Sequence, residues 1–485
     1  MSTLPESFSP SETPVATARK PSLDLGWVFI VLAAGLLVGS ILGSFHIAYS
    51  VNDASRWNTV YSLVTHGRYA YVDDPVFWRA VPRDQVSRPR DFPPLPTIDM
   101  VKIGDEYYSS KPPLMPTFIS GCVMGITALT GRTFADNPRL IVKSTLIILQ
   151  VIPLVGMLLL VRWHFRRWIT SPFVYHFCMA TAALGTYLTS WSVTLNNHVM
   201  AACAAMVAVH ALWRIWLDGR REWYWFGLAG FFSALTASFE LPAAFLAVCL
   251  FAVLGVTDLK RALLVALPAA LIVVAAALYT NYLAFGTVVP VYATFGQPGG
   301  PYDYEGSYWN SPEGLDSVKE PRHVYLMHML IGHHGIFLLT PVLLLSFWGM
   351  LIQLFFGSQL SQDLSEDSRS PLVSEDSTVK FRGSPRLFAI MALLTTVVII
   401  TFYATNKTQN YGGSCQGLRW MFWLIPLWLL FLPTGVARIA AGSAGRFVCY
   451  AFLFFSVVNT MAAIPQPWAY SWVQRVFHEL GWTSY

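Results

Sequence analysis

The chain has 485 residues, of which 54% are hydrophobic and only 12% charged, with a net charge of +5 and a mean hydropathy of +0.49. So few charges cannot coat a soluble globule of this size, which excludes water as the main solvent. The small positive charge forms no basic stripe interleaved with aromatics, so nucleic acid is not an expected partner.

In chain order, residues 1–24 are rich in Ser, Thr and Pro and predict a short disordered cytoplasmic tail. The apolar run Leu25 to Ile47 then exceeds a signal-peptide core and reads as an uncleaved first helix. At about 1.5 Å per residue it can cross roughly 30 Å of hydrocarbon. Similar runs follow near 140–161, 172–190, 195–216, 223–239, 241–257, 262–284, 328–356, 387–405, 418–437 and 446–465. The expectation is an all-α, polytopic membrane protein with about eleven transmembrane helices. The 18 Trp, 21 Tyr and 32 Phe suit such a protein, because rings with a polar edge favour the headgroup boundary.

A further run, Leu114 to Gly131, decides the orientation of everything after it. If it does not cross, the cytoplasmic ends collect Arg162, Arg166, Arg167, Arg214, Arg220, Arg221, Lys260, Arg261, Arg369, Lys380, Arg382, Arg386, Arg438 and Arg446, as the positive-inside rule requires. It is therefore read as an interfacial or re-entrant helix on the outer face. The amino terminus is then inside, and the outer side receives segments 48–139, 285–327 and 406–417. The inner segment Gly357 to Pro385 is rich in Ser, Asp and Glu, the composition of a flexible linker. The expected organisation is a tail at 1–24, a membrane module at 25–356 that includes outer loop 48–139, a cytoplasmic loop at 357–386, carboxy-terminal spans at 387–465 and an outer-face tail at 466–485. In that tail, Trp472, Val473, Val476, Phe477 and Leu480 predict an amphipathic helix on the outer leaflet. Five of the six cysteines (Cys122, Cys178, Cys203, Cys249, Cys449) fall in apolar segments, so a disulfide framework does not organise the chain.

Just after the first span, Asn52-Asp53-Ala54-Ser55-Arg56-Trp57 leads to Gly67 and predicts a short amphipathic helix on the membrane surface. Asp53 reads either as its N-terminal cap or as a reactive carboxylate. The same loop continues Ile98-Asp99-Met100-Val101-Lys102-Ile103-Gly104-Asp105-Glu106-Tyr107-Tyr108-Ser109-Ser110-Lys111-Pro112-Pro113-Leu114. Its two prolines let the next helix begin at Leu114 and hold Lys111 near headgroup level, although a lysine snorkelling at a helix end needs no ligand.

This loop resembles the first outer loop of type-C glycosyltransferases, the superfamily of protein O-mannosyltransferases and aminoarabinose transferases. Asn281 to Gly286 with Gly332 to Pro341, and Tyr411-Gly412-Gly413 with Gly417-Leu418-Arg419-Trp420, are also similar to members of the group. Many relatives carry paired acidic residues where this chain has Asn52-Asp53. The resemblance implies two juxtamembrane helices in the first loop and transfer of a sugar, with inversion, from a polyprenyl-phosphate carrier to an acceptor that is a lipid, glycan or protein. It implies an enzyme in a bacterial inner membrane surrounded by membrane lipids. Such a displacement needs a base for the acceptor proton and cations for the departing phosphate. Asp53 is the expected base. Lys111, Arg419, Arg56, Tyr108, Asn197, His198 and Glu240 are the expected substrate-binding residues. No cofactor is required by this grouping, and a divalent metal remains an alternative.

The plainer readings stand beside these. His198 suits a structural hydrogen bond as well as a donor or metal contact. Glu240 precedes Leu241-Pro242 and suits a turn or cap. Adjacent His333 and His334 on a helix would point about 100° apart and rarely share one ion, and Asp73-Asp74 reads as solvated loop. A non-catalytic protein that binds or presents a lipid-linked sugar is the alternative function. A transporter or flippase ranks lower, because the spans hold few ionisable residues beyond Lys143.

Overall fold

The computed structural model describes residues 24–73, 95, 97–366, 384–406 and 409–483. Residues 1–23 of the tail expected at 1–24, Asp74, and most of the linker expected at 357–386 lie outside the described residues. The described chain is almost wholly helical, with one two-stranded hairpin.

Six helices are long and apolar enough to cross a bilayer: Leu25–Gly43, Pro138–Trp168, Asn197–Trp216, Leu259–Phe285, Pro385–Thr405 and Ser443–Ala463. A seventh span results if Arg419–Leu429 and Leu432–Ile439, which meet at 68°, count as one. The protein is thus a multi-pass integral membrane protein, but the eleven expected spans are not all unbroken helices. Each apolar run does contain helix. Breaks shorten the others: the 172–190 run stops at Gly185 and restarts as Tyr187–Trp191, and Glu240 with Pro242 separates Trp223–Phe239 from Ala244–Thr257. Mean hydropathy is blind to such interruptions, since one Gly or Pro barely changes a window average while it breaks the backbone ladder.

Asn197–Trp216 is the central element. Sixteen of its 20 residues are buried, and its run of alanines and other small side chains lets neighbouring helices come close. The Asn196 side chain caps it by accepting from Val199 N at 2.9 Å. Outward faces of the other spans carry Val31, Leu32, Ile272, Phe447 and Phe454, all exposed, as lipid contact requires. Close helix approach rests on glycine at Gly230, where a Cβ would lie 2.0 Å from the Ala266 carbonyl oxygen.

The loop after the first span forms the helix Val51–His66, closed by Gly67 in the left-handed region at φ 66°. Residues 52–62 are buried without a break, so this helix is enclosed by protein rather than laid on the surface as its pattern suggested. Polar residues on several of its sides meet partners in the fold instead of water. Next comes a hairpin, Met100–Ile103 with Glu106–Ser109, paired Met100 to Ser109 and Ile103 to Glu106. Gly104 supplies its turn at φ 60°. The helix Leu114–Thr130 begins directly after Pro112-Pro113 and has 17 residues, below the length of the six spans. At the far end, the helix Trp472–Glu479 exposes Trp472, Val476 and the following Leu480 while burying Val473.

Candidate functional site

Where several helix ends converge, a cavity of about 430 Å³ is lined by Asn52, Arg56, Lys111, Asn197, His198, Glu240, Tyr403, Arg419 and Trp420, among others. Six of the eight residues expected from sequence therefore meet in one place, although they come from five separate parts of the chain. Asp53 and Tyr108 do not line it.

The hairpin delivers the first cation. Its strands bring Asp99 and Lys111 to the same end, where Ser110 N donates to Asp99 O at 3.1 Å and Lys111 Nζ lies 2.8 Å from Asp99 Oδ1. Asp99 Oδ2 also accepts from Asn52 Nδ2 at 3.1 Å. Asn52, on the first turn of the Val51–His66 helix, in turn accepts from Arg56 Nη1 through both its backbone and side-chain oxygens. Arg56 Nη2 reaches Asn197 Oδ1 at 2.6 Å, and Asn197 Nδ2 donates to Glu240 Oε1 at 2.6 Å and to Phe239 O at 2.9 Å. Glu240 Oε1 is in close contact with His198 Nδ1, and His198 Nε2 lies 2.7 Å from Arg419 Nη1. The wall of the cavity is thus one polar chain running from Lys111 to Arg419.

Arg419 is placed by its own loop. Nε and Nη2 donate to Gly412 O at 3.3 and 3.0 Å, and the guanidinium lies 4.8 Å from the Trp468 ring centroid. Gly412 is at φ 86°, and a Cβ there would lie 2.8 Å from Arg419 Nε, so this position admits only glycine without a shift. Burial lowers the Lys111 ammonium pKa, opposed by Asp99 and aided by Arg56 and Arg419. Burial likewise pulls Arg56 down to about 10. Three cations therefore crowd a cavity whose lining carries one carboxylate, Glu240. An anion entering it would relieve their mutual repulsion.

Asp53 has a different setting. Its Oδ1 accepts from Ser50 N, Ser50 Oγ and Ala54 N, and its Oδ2 from Tyr49 N and Thr194 Oγ1, at 2.7 to 3.1 Å. With Ser50 it forms a reciprocal capping box for the Val51–His66 helix. Both oxygens are engaged in this hold. Tyr108 donates to Glu106 at 2.8 Å and packs edge-on against Phe285, outside the cavity.

The residues not anticipated are Asp99, Asn52, Tyr403 and Trp420. Asp99 could have been found from the alternation of residues 98–109 around Gly104-Asp105, a hairpin signal that brings the loop's ends together. Tyr403 and Trp420 stack, with ring centroids 4.9 Å apart, across a distance in sequence that carries no signal. Among the described residues, no three His, Cys, Asp or Glu side chains gather as metal ligands. His333 and His334 contact each other, with His328 stacked on His333 at 4.2 Å. Lys143, the ionisable residue noted within a span, donates to Leu42 O at 2.6 Å.

Beside the polar cavity runs an apolar one of about 700 Å³, lined by Leu114, Phe118, Met157, Met200, Leu235 and others. Phe239 lines both, so the two adjoin.

No family model matches the sequence, and no curated protein matches it. Among solved structures, the chain is similar to ArnT from Cupriavidus metallidurans in the apo state, at 11% identity and TM-score 0.47, covering 90% of this chain and 75% of that one. A structure of the same ArnT bound to undecaprenyl phosphate matches at 12% identity and TM-score 0.43, covering 91% and 76%. The Archaeoglobus fulgidus oligosaccharyltransferase, in complex with Zn and sulfate, matches at 13% identity and TM-score 0.41, covering 94% of this chain but 55% of that one.

Proposed function

We propose that this chain is a membrane glycosyltransferase that moves a sugar from a polyprenyl-phosphate carrier to an acceptor on the outer face, with inversion. One observation carries this reading: Arg56, Lys111 and Arg419 converge on a polar cavity that adjoins a larger apolar one. A lipid phosphate has this two-part chemistry. Its headgroup suits the three cations, and its prenyl chain suits the Leu, Phe and Met wall. Cations held in a partly desolvated site stabilise phosphate as it leaves far more than they would in water. Arg419 is prepositioned by Gly412 and His198, so little reorganisation is needed as charge develops.

The test is direct. Purified protein is incubated with undecaprenyl-phosphate-linked sugars and a cell-envelope extract as acceptor, and released undecaprenyl phosphate is measured. Release that needs the wild-type cations supports the transferase. Tight binding of the carrier without release supports the non-catalytic presenting protein instead.

A further inference from the structure

We propose that Glu240 is the base that accepts the acceptor's proton, with Oε1 held by Asn197 and Oε2 as the accepting oxygen. This assignment rests on the transferase reading above. Four carboxylates, Asp53, Asp99, Glu240 and Asp316, lie close to the cations, and their settings differ: Asp316 accepts from Tyr308 OH at 3.1 Å and is not part of the cavity lining. Asp53 spends both of its oxygens on five donors. Asp99 gives one to Lys111 and one to Asn52. Glu240 is the one that lines the cavity. Its Oε1 accepts from Asn197 at 2.6 Å and faces His198, while Oε2 makes no hydrogen bond among the described residues.

The orientation is set from behind. Arginine only donates, so His198 Nε2, 2.7 Å from Arg419 Nη1, must carry a lone pair. The proton of the neutral imidazole is then on Nδ1, facing Glu240 Oε1. One imidazole width therefore separates the proposed base from a phosphate-binding cation. A single displacement needs the acceptor on one side of the anomeric carbon and the leaving group on the other. The acceptor oxygen or nitrogen bonds to the anomeric carbon as its proton passes to Glu240 Oε2. The bond from that carbon to the phosphate oxygen breaks, and its electron pair stays on the phosphate, facing Arg56, Lys111 and Arg419. Glu240 later returns the proton to water.

Burial pushes the Glu240 carboxyl up to about 8, against the pull of Arg419 and Arg56. His198, Arg419, Arg56 and Tyr403 are the titratable or charged groups around it. A base of this strength is matched to near-neutral operation.

The experiment compares full-length wild type, Glu240→Gln and Glu240→Asp in lipid nanodiscs. It measures carrier release as above and, separately, binding of undecaprenyl phosphate alone. The expected result is transfer slowed at least about 100-fold in Glu240→Gln with carrier binding within about threefold, and partial recovery in Glu240→Asp. A slowing of less than about 100-fold, or a loss matched by an equal loss of carrier binding, overturns the assignment. If Glu240→Gln does not accumulate, the wild-type pH profile decides. A rate that climbs toward about pH 8 and then levels supports it, and a flat profile over that range overturns it. Release by wild type and Glu240→Gln alike sinks this assignment alone, whereas no release by wild type sinks the transferase reading and this assignment with it.

Discussion

Arg419 and His198 meet at 2.7 Å although 221 positions separate them, and this contact joins the glycine-rich loop to the central helix Asn197–Trp216. His198→Ala leaves Arg419 Nη1 without its acceptor and Glu240 without its imidazole. An unmet buried donor costs about 1–3 kcal/mol. Lower thermal stability of the purified protein and slower carrier release are expected together. His198→Gln, whose amide carries both an acceptor and a donor, should retain more of each than alanine does.

Arg419→Lys should not be conservative. The guanidinium donates to Gly412 O through two nitrogens and to His198 through a third, a fork that a single ammonium cannot reproduce. The expected outcome is at least a tenfold rise, in order of magnitude, in the KM for a polyprenyl-phosphate donor, since hydrogen bonds to charged groups contribute roughly 1.5–3 kcal/mol. Carrier release titrated against donor concentration checks it.

Asp53→Asn should act on stability before chemistry. An amide oxygen replaces one carboxylate oxygen only, so either the Ser50 and Ala54 donors or those of Tyr49 and Thr194 lose their acceptor. Loss of a helix cap typically costs about 0.5–2 kcal/mol, and buried unmet donors add to it. Thermal unfolding in detergent should show a lower midpoint. An unchanged midpoint with abolished transfer would restore Asp53 as the base.

Binding of undecaprenyl phosphate should weaken at alkaline pH. Burial, with Arg56 and Arg419 nearby, lowers the Lys111 pKa from its ordinary 10.5. As pH rises through that lowered value, Lys111 loses its charge before a solvent-exposed lysine would, and with it one contact to an anionic headgroup. The sign is therefore a falling affinity that sets in below pH 10.5. Lys111→Arg, whose guanidinium stays charged, should flatten the curve in a direct binding titration.

Gly230→Leu should disrupt the packing of Trp223–Phe239 on Leu259–Phe285. Even a Cβ would lie 2.0 Å from the Ala266 carbonyl oxygen, and the obstacle is backbone, which cannot swing aside. Overpacking of this kind costs typically about 1–3 kcal/mol. Reduced yield of monodisperse protein in size-exclusion chromatography is the expected readout.

Much of the cavity was legible because polar residues at the ends of apolar runs have few roles in a membrane protein. Asn197, His198, Glu240 and Arg419 stood out on that ground, and Lys111 stood out beside its two prolines. Availability was not legible. Asp53 and Glu240 look alike as carboxylates at helix ends, yet Thr194 and the backbone of Tyr49 and Ser50 enclose Asp53. Tyr108 likewise looked as well placed as Lys111, three residues on, but strand alternation turns it toward Glu106 and Phe285. The enclosed state of the Val51–His66 helix was hidden too, since moment and pattern cannot tell a polar face turned to water from one turned to buried partners.

The sequence by itself determined that this chain lives in a bilayer and where its helices lie, because hydrophobic transfer and backbone hydrogen bonding act along the chain and can be read from consecutive residues. It also determined where cations and carboxylates sit relative to helix ends. Only the tertiary structure decided which apolar runs are unbroken, that Asp99 pairs with Lys111, and that both Asp53 oxygens are engaged by distant and neighbouring donors. Those outcomes depend on which distant donors reach a buried acceptor, and hydrogen bonds of 2.6 to 3.1 Å between residues up to 221 positions apart leave no trace in local pattern.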